Sequence, residues 1–427
     1  MAEPRIVTAI DVGSSKVVAL MAESPGETRT VTAGPAGEFN VIGVGIAPSR
    51  GIKRGQIINI SEAASAIHEA VEGAERSSAN KISSAIMSIA GTHISTQNSQ
   101  GTVAIGRGDQ GVGQEDVDHA IEAAQAISVP NNREIIHVIA RHFRVDEQEG
   151  VRNPMGMLGF RLEVQAHIVT GATTAIQNLM KCASMAQIEV PELVLAPLAA
   201  AEAVLTPTER EMGVILVDVG SGTTDVAIFI DGTVWHASTI EVGGGHFTSD
   251  LAMCLRLPLE TAERIKISHG HAYPPDLSLE QPFVVAGFGD EQRITVQRRD
   301  IAMILQARAE ELFGLVMQEV KRSGYDGLLT AGLVVTGGGS QLPGLREMGR
   351  DVTGLPVRIA QPRDIQGLVD NLHSPAYATA VGLLRWGMNE IMARPSRKRR
   401  ASINLGGLGL GGFLANVMRQ LLPKNMT

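Results

Sequence analysis

Apolar side chains recur along this chain with two alternating periods, and each switch between them marks an element. Short β-branched runs lie at 5–11 (RIVTAID), 213–218 (GVILVD), 224–230 (TDVAIFI) and 333–336 (LVVT), and these read as strands. Stretches with helical spacing lie between them. One covers 61–77, with Ser61 as candidate N-cap. Another covers 298–321, apolar at Ile301, Ile304, Leu305, Leu312 and Val316, and a third covers 374–391. Strands interleaved with helices predict an α/β fold.

One pattern occurs twice. Ala9-Ile10-Asp11-Val12-Gly13-Ser14-Ser15 is answered half a chain later by Leu216-Val217-Asp218-Val219-Gly220-Ser221-Gly222. Each copy is an apolar strand ending in Asp, a tight Gly/Ser turn and a second apolar strand. The spacing is too long for a solenoid repeat and predicts two related halves. Residues 86–168 have another texture: a polar, hairpin-like stretch at 94–113, a helix at 115–127, and strands at 135–145 and 160–168. In the last strand Phe160, Leu162, Val164, Ala166 and Ile168 share one face, and Arg161, Glu163, Gln165 and His167 the other. This predicts a small α+β subdomain inserted into the first half. At 394–412 the basic run RPSRKRR passes into a Gly/Leu stretch that reads as a flexible linker.

Composition narrows the function classes. With 44% hydrophobic and 19% charged residues the chain can bury a core, and with 3% aromatics that core must be mostly aliphatic. Few aromatics and a net charge of −8 argue against a nucleic-acid partner. Cys182 and Cys254 show no paired spacing, and no histidine motif has metal-ligand spacing, so a disulfide framework and a thiolate metal site are both excluded. No signal-peptide pattern or 18-residue apolar span is visible, which predicts a cytoplasmic chain without a transmembrane helix. The charge is uneven, because 394–427 carries seven basic side chains and no acidic one.

The repeated turns carry the chemistry. Asp11 to Lys16 places backbone N–H groups, the hydroxyls of Ser14 and Ser15, and the Lys16 cation around one point. A phosphate would repel Asp11 directly, so its natural task is to hold Mg²⁺ through water. Asp218 to Asp225 offers the same parts through Gly220, Ser221, Gly222, Thr223 and Thr224, with a second carboxylate at Asp225. Facing each other, two such hairpins would clamp a triphosphate and its metal, with Asp11 and Asp218 on the ion. Neither matches GxxxxGK[ST], so a P-loop is excluded. Gly337-Gly338-Gly339-Ser340, between a strand and a helix expected to begin near Leu342 or Pro343, would let backbone approach a flat ring or a phosphate. Gly243 and Gly244, before a helix expected at 247–256, form a weaker echo.

Two Asp-bearing hairpins, a late GGGS and duplicated halves resemble the actin-like ATPase superfamily. Within it the chain resembles the FtsA family of bacterial cell-division proteins, most specifically in HISTQNSQGTVAI (93–105), the run from 135 to 171, and 209–229. The resemblance implies an actin-like fold with a first core at 1–85 and 169–197, the insertion at 86–168, a second core at 198–232 and 306–393, and an outer subdomain at 233–305. It implies ATP and Mg²⁺ as cofactors. Asp11, Gly13, Ser14, Ser15 and Lys16 would form the first phosphate loop, Asp218 to Asp225 the second, and Gly337 to Ser340 the adenosine loop, with Glu263 and Lys266 flanking the adenosine. Where chaperones of the superfamily place a glutamate, this chain has Leu195-Ala196-Pro197-Leu198. A carboxylate to order metal-bound water is missing and the catalytic residue is unknown, so ATP binding is expected with at most weak hydrolysis.

In the tail, Phe413, Leu414, Val417, Met418, Leu421 and Leu422 fall on one half of a helical wheel, opposite Asn416, Arg419 and Gln420. A helix over 413–423 could pack on protein, or lie in an anionic membrane interface. The Gly-rich linker and the basic run favour lipid. The resemblance implies the same anchor, on the cytoplasmic face of the cell membrane at the division site. It also implies FtsZ as partner, docked near 233–305, self-assembly into a polymer, and recruitment of later division proteins through the insertion. Alternatives are a PilM-type pilus-assembly homologue or a sugar or acetate kinase of the same superfamily.

Overall fold

A computed structural model describes residues 5–23, 39–106, 111–126, 129–273, 282–288, 293–368 and 370–393. The linker and amphipathic helix expected at 394–412 and 413–423 lie outside the described residues.

Two sheets repeat one plan. In the first, Ile6–Val12 pairs antiparallel with Lys16–Glu23, which pairs antiparallel with Phe39–Pro48. On the other side Ile86–Ile89 and Leu193–Leu195 add in parallel. In the second, Val214–Val219, Thr224–Ile230 and Thr233–Ile240 form the antiparallel meander, while Leu333–Thr336 and Val357–Ile359 add in parallel. Order and sense match strand for strand, so the duplicated Asp motif marks duplicated halves. Ile365–Gly367 crosses back to close the free edge of the first sheet against Phe39–Pro48.

The central strands Lys16–Glu23, Val214–Val219 and Thr224–Ile230 are nearly continuous apolar runs because both their faces are covered. The helix Ala196–Val204 packs on Ala378–Ala393 between the halves, in a core that includes Ala199, Ala200, Leu216, Ala227, Leu383 and Leu384. The approach is close. A Cβ on Gly382 would stand 1.8 Å from the Ala199 carbonyl oxygen. Small residues here do what aromatics do elsewhere, filling space by letting backbones come together.

The insertion forms its own sheet in the order Ser95–Ala104, Arg161–Ala172, Arg133–Val145, Gln148–Val151, and Gln114–Gln125 packs on it. Three expectations need correction here. Ile86–Ile89 pairs into the first sheet, so the insertion starts after it. Residues 95–104 make one long strand that pairs with Arg161–Ala172, and no hairpin with their own neighbours. Phe160 precedes its strand and is 80% exposed, while Glu163 and His167 on the expected polar face are buried. His167 is buried because its end of that face rests on the second half, whereas Glu163 is held within the insertion by Gln100 and Arg161. Thr96 Oγ1 donates to the Ala237 carbonyl at 2.8 Å, Asn98 Nδ2 donates to Tyr325 at 3.0 Å, and the Arg141 guanidinium lies 3.6 Å over the Trp235 ring.

Other boundaries shift for local reasons. The first helix is Ile60–Ser78, capped by the Asn59 side chain and not by Ser61, because Asn59 reaches the Glu62 amide. Thr233–Ile240 belongs to the second core sheet and not to the outer subdomain. That subdomain begins with the helices Gly244–Leu255 and Leu259–His269. After Gly337 the chain makes a 3₁₀ turn, Gly338–Gln341, and the helix follows only at Leu345–Thr353.

Candidate functional site

The two Asp hairpins close in the same way. The Gly13 amide donates to the Lys16 carbonyl at 3.1 Å, and the Gly220 amide donates to the Thr223 carbonyl at 2.9 Å. Ser14 and Ser15 therefore stand where Ser221 and Gly222 stand in the other half. The turns also meet: a Cβ on Gly222 would lie 3.1 Å from both Ser14 Oγ and Arg54 Cα, so a side chain there would be crowded by the facing turn.

Below the turns sit three carboxylates. Asp11 Oδ1 accepts from Ser88 Oγ at 2.8 Å, and the same hydroxyl accepts from the Val12 amide at 2.9 Å. Asp218 Oδ2 accepts from Thr379 Oγ1 at 2.9 Å, and Asp225 Oδ1 accepts from Thr239 Oγ1 at 2.6 Å. Burial pushes Asp218 up to about 7, with repulsion from Asp225 and Asp11 adding to it. Burial, again with Asp11 repulsion, pushes Asp225 to about 6, and burial raises Asp11 as well. Lys16 lies with its Nζ 3.3 Å over the Tyr377 ring, and burial lowers it to about 8 against the pull of Asp11. Carboxylates kept out of water with one hydroxyl donor apiece are groups that a divalent cation would hold ionised. Among the described residues no group of three or more such side chains is placed to hold a metal ion.

The glycine clusters divide the remaining work. Gly337 has φ of 83°, and a Cβ there would stand 2.2 Å from Asp218 Oδ1, so only glycine lets the loop lie on this carboxylate. Ser340 is buried and donates from Oγ to the Gly337 carbonyl at 2.7 Å, bracing the loop from inside. The amides of Gly244 and Gly245 donate to the Gly220 and Ser221 carbonyls, each at 2.8 Å. Gly243 lies against the same two carbonyls. This cluster thus buttresses the second turn from behind, and the amides of Gly244 and Gly245 are already spent on protein. Lys266 Nζ donates to Glu263 Oε2 at 2.7 Å, Thr248 Oγ1 at 2.8 Å and the Gly244 carbonyl at 3.0 Å. The Glu263–Lys266 helix is thereby tied to that buttress. Ala196 opens the interhalf helix and is buried, with no carboxylate at its position.

Sequence reasoning missed Ser88, Thr239, Thr379, Tyr377 and Arg54. Ser88 and Thr239 reach the site from strands, Arg54 from a turn, Tyr377 from a 3₁₀ turn and Thr379 from the helix Ala378–Ala393, and none belongs to a motif. Only Tyr377 and Thr379, both within the helix expected at 374–391, had any signal.

A family model described as "Cell division protein FtsA" matches residues 215–382, and one described as "SHS2 domain inserted in FTSA" matches 91–170. Over 386 residues the chain is 40% identical to a cell division protein FtsA of Pseudomonas aeruginosa, covering 90% of each. Over 390 residues it is 34% identical to the Escherichia coli K12 protein of the same name, again covering 90% of each. Among solved structures, the PilM-PilN type IV pilus biogenesis complex aligns with a TM-score of 0.61 at 16% identity, over 90% of this chain and 98% of that one. MreB5 of Spiroplasma citri bound to ADP aligns with a TM-score of 0.55 at 15% identity, over 92% and 99%. At such identities these two likenesses carry the actin-like fold alone.

Proposed function

The chain belongs to the FtsA family of cell-division proteins, and on that premise we propose that it binds Mg-ATP between its halves and tethers FtsZ to the cytoplasmic face of the membrane. The observation that carries the nucleotide reading is the meeting of two equivalent turns above three buried carboxylates. In this reading Ser14, Ser15, Ser221, Thr223 and the turn amides hold phosphate oxygens, and Lys16 supplies a cation. Asp11, Asp218 and Asp225 receive the hydrated metal, and Gly337 to Gly339 with the Glu263–Lys266 helix border the base. Bound nucleotide contributes binding energy that differs between open and closed arrangements of the halves. The chain's own part is to carry that difference through the Ala196–Val204 and Ala378–Ala393 pair, which joins the halves by close backbone contact. A fold relative, MreB5, is a protein bound to ADP, which supports a nucleotide as the ligand.

Assembly and recruitment are the proposed outputs, with FtsZ, further copies of this chain, anionic lipid and later division proteins as partners. No described helix is long and apolar enough to cross a membrane; the proposed attachment is the apolar arc of the tail, from Phe413 to Leu422. Co-sedimentation tests the tether. FtsZ should pellet with anionic liposomes only when this chain is present, and more completely with ATP. Sedimentation of FtsZ that ignores the chain would remove the reading.

Turnover should be slow. With buried Ala196 where a water-ordering carboxylate would stand, phosphate release is expected below about 0.1 per second, against a typical enzyme near 10. Release of several phosphates per second would mean that another group orders the water.

A further inference from the structure

Residues 52–57 form a small hairpin, Ile52–Lys53 against Gln56–Ile57, that none of the phosphate motifs includes. Its tip, Arg54-Gly55, has φ of 50° and 73°, left-handed at both positions. Asn would take the first position with less strain, so an arginine there points to a use for its guanidinium.

The tip touches four things at once. The Gly55 amide donates to Ser14 Oγ on the first turn at 3.0 Å. The Arg54 backbone lies against Gly222 of the second turn. Arg54 Nη1 pairs with Glu241 Oε2 of the second half at 3.0 Å, joining the two halves beside the turns. Behind, Gly55 packs on Ala90 and Gly91, and Gln56 Nε2 donates to Thr92 Oγ1 at 3.2 Å, at the root of the insertion. Arg54 and Glu241 are 47% and 54% exposed, so their pair contributes little and is readily exchanged. A phosphate group beside the turns offers more charge and a bidentate geometry that guanidinium matches.

We propose that Arg54 is a phosphate-sensing cation, drawn from Glu241 to the terminal phosphate of a bound triphosphate, and that its hairpin relays this exchange to the root of the insertion. The proposal rests on the nucleotide reading above. Lys16, held over Tyr377, is the phosphate cation of that reading. Arg54 differs from it in having a partner across the cleft to leave.

Calorimetry on the full chain with Mg-ADP and with a non-hydrolysable Mg-triphosphate tests this. Arg54→Asn, chosen because Asn suits the left-handed turn, should lose about tenfold or more in triphosphate affinity and under about threefold in ADP affinity. Glu241→Gln should bind the triphosphate a few-fold more tightly. In hydrogen exchange, the triphosphate should protect residues 90–94 more than ADP does, and Arg54→Asn should erase the difference. Equal losses on both nucleotides, or a Glu241→Gln variant that weakens like Arg54→Asn, would overturn the proposal while leaving nucleotide binding in place. A parent chain that binds neither nucleotide would overturn both readings.

Discussion

Asp218→Asn should make the chain harder to unfold and, at the same time, much poorer at holding Mg-nucleotide. The stability gain follows from linkage. The folded chain holds the Asp218 proton up to about pH 7, whereas an unfolded aspartate releases it near 3.8. Between those values the native state binds more protons than the unfolded one, so stability falls as pH rises. The penalty is complete above about pH 7 and absent below about pH 4. Each pKa unit corresponds to about 1.36 kcal/mol, and asparagine also relieves repulsion on Asp225, so a gain on the order of 1–3 kcal/mol is expected at pH 8. The amide oxygen can still accept from Thr379, and packing should change little. Thermal unfolding at pH 8 and pH 4 checks this, with the stabilisation confined to the higher pH.

The binding loss has the opposite sign because a hydrated divalent ion needs the charge that folding disfavours. Charge-assisted contacts contribute about 1.5–3 kcal/mol, so Asp218→Asn and Asp218→Ala should each weaken Mg-nucleotide binding at least about tenfold. In the parent chain, affinity should tighten from pH 5.5 to 7.5 as protons leave Asp225, near 6, and Asp218, near 7. The variant's profile should be flatter. Unchanged calorimetric affinity in both variants would remove these carboxylates from the metal site.

Much of the plan was legible because it is written locally. The two hairpins are contiguous apolar runs around a Gly/Ser turn, and Thr224–Ile230 and Leu333–Thr336 occupy their predicted positions. Their recurrence disclosed the duplication before any pairing was known. What escaped depends on chain paths. Ile86–Ile89 is a four-residue apolar strand whose membership turns on pairing with Ile6–Val12, and nothing inside it says so. His167 alternates like a solvent-facing residue, and only the docking of the insertion onto Thr233–Ile240 buries it. In the site, the carboxylates were visible but their hydroxyl partners were not, since Ser88 and Thr379 reach Asp11 and Asp218 from 77 and 161 residues away. The glycine clusters show the same limit. GGG at 243–245 and at 337–339 look alike as strings, yet one braces a turn and the other cradles a carboxylate.

Removing the tail after Ser402 should leave a chain that still binds nucleotide and FtsZ but no longer floats with anionic liposomes. Six apolar side chains, Phe413, Leu414, Val417, Met418, Leu421 and Leu422, could each contribute about 1 kcal/mol when partly buried in the interface. The basic cluster Arg394, Arg397, Lys398, Arg399 and Arg400 could add about 1 kcal/mol per charge near an anionic leaflet. Helix formation and lost motional freedom offset part of this, which leaves reversible binding that a polymer strengthens by holding many tails at once. Val417→Glu places a charge within the apolar arc and should abolish flotation nearly as completely as truncation. Asn416→Glu adds the same charge one residue away, on the polar arc, and should be distinctly milder. Equal losses from the two substitutions would show that the arc is misassigned, and no loss from either would mean that something other than this tail anchors the protein.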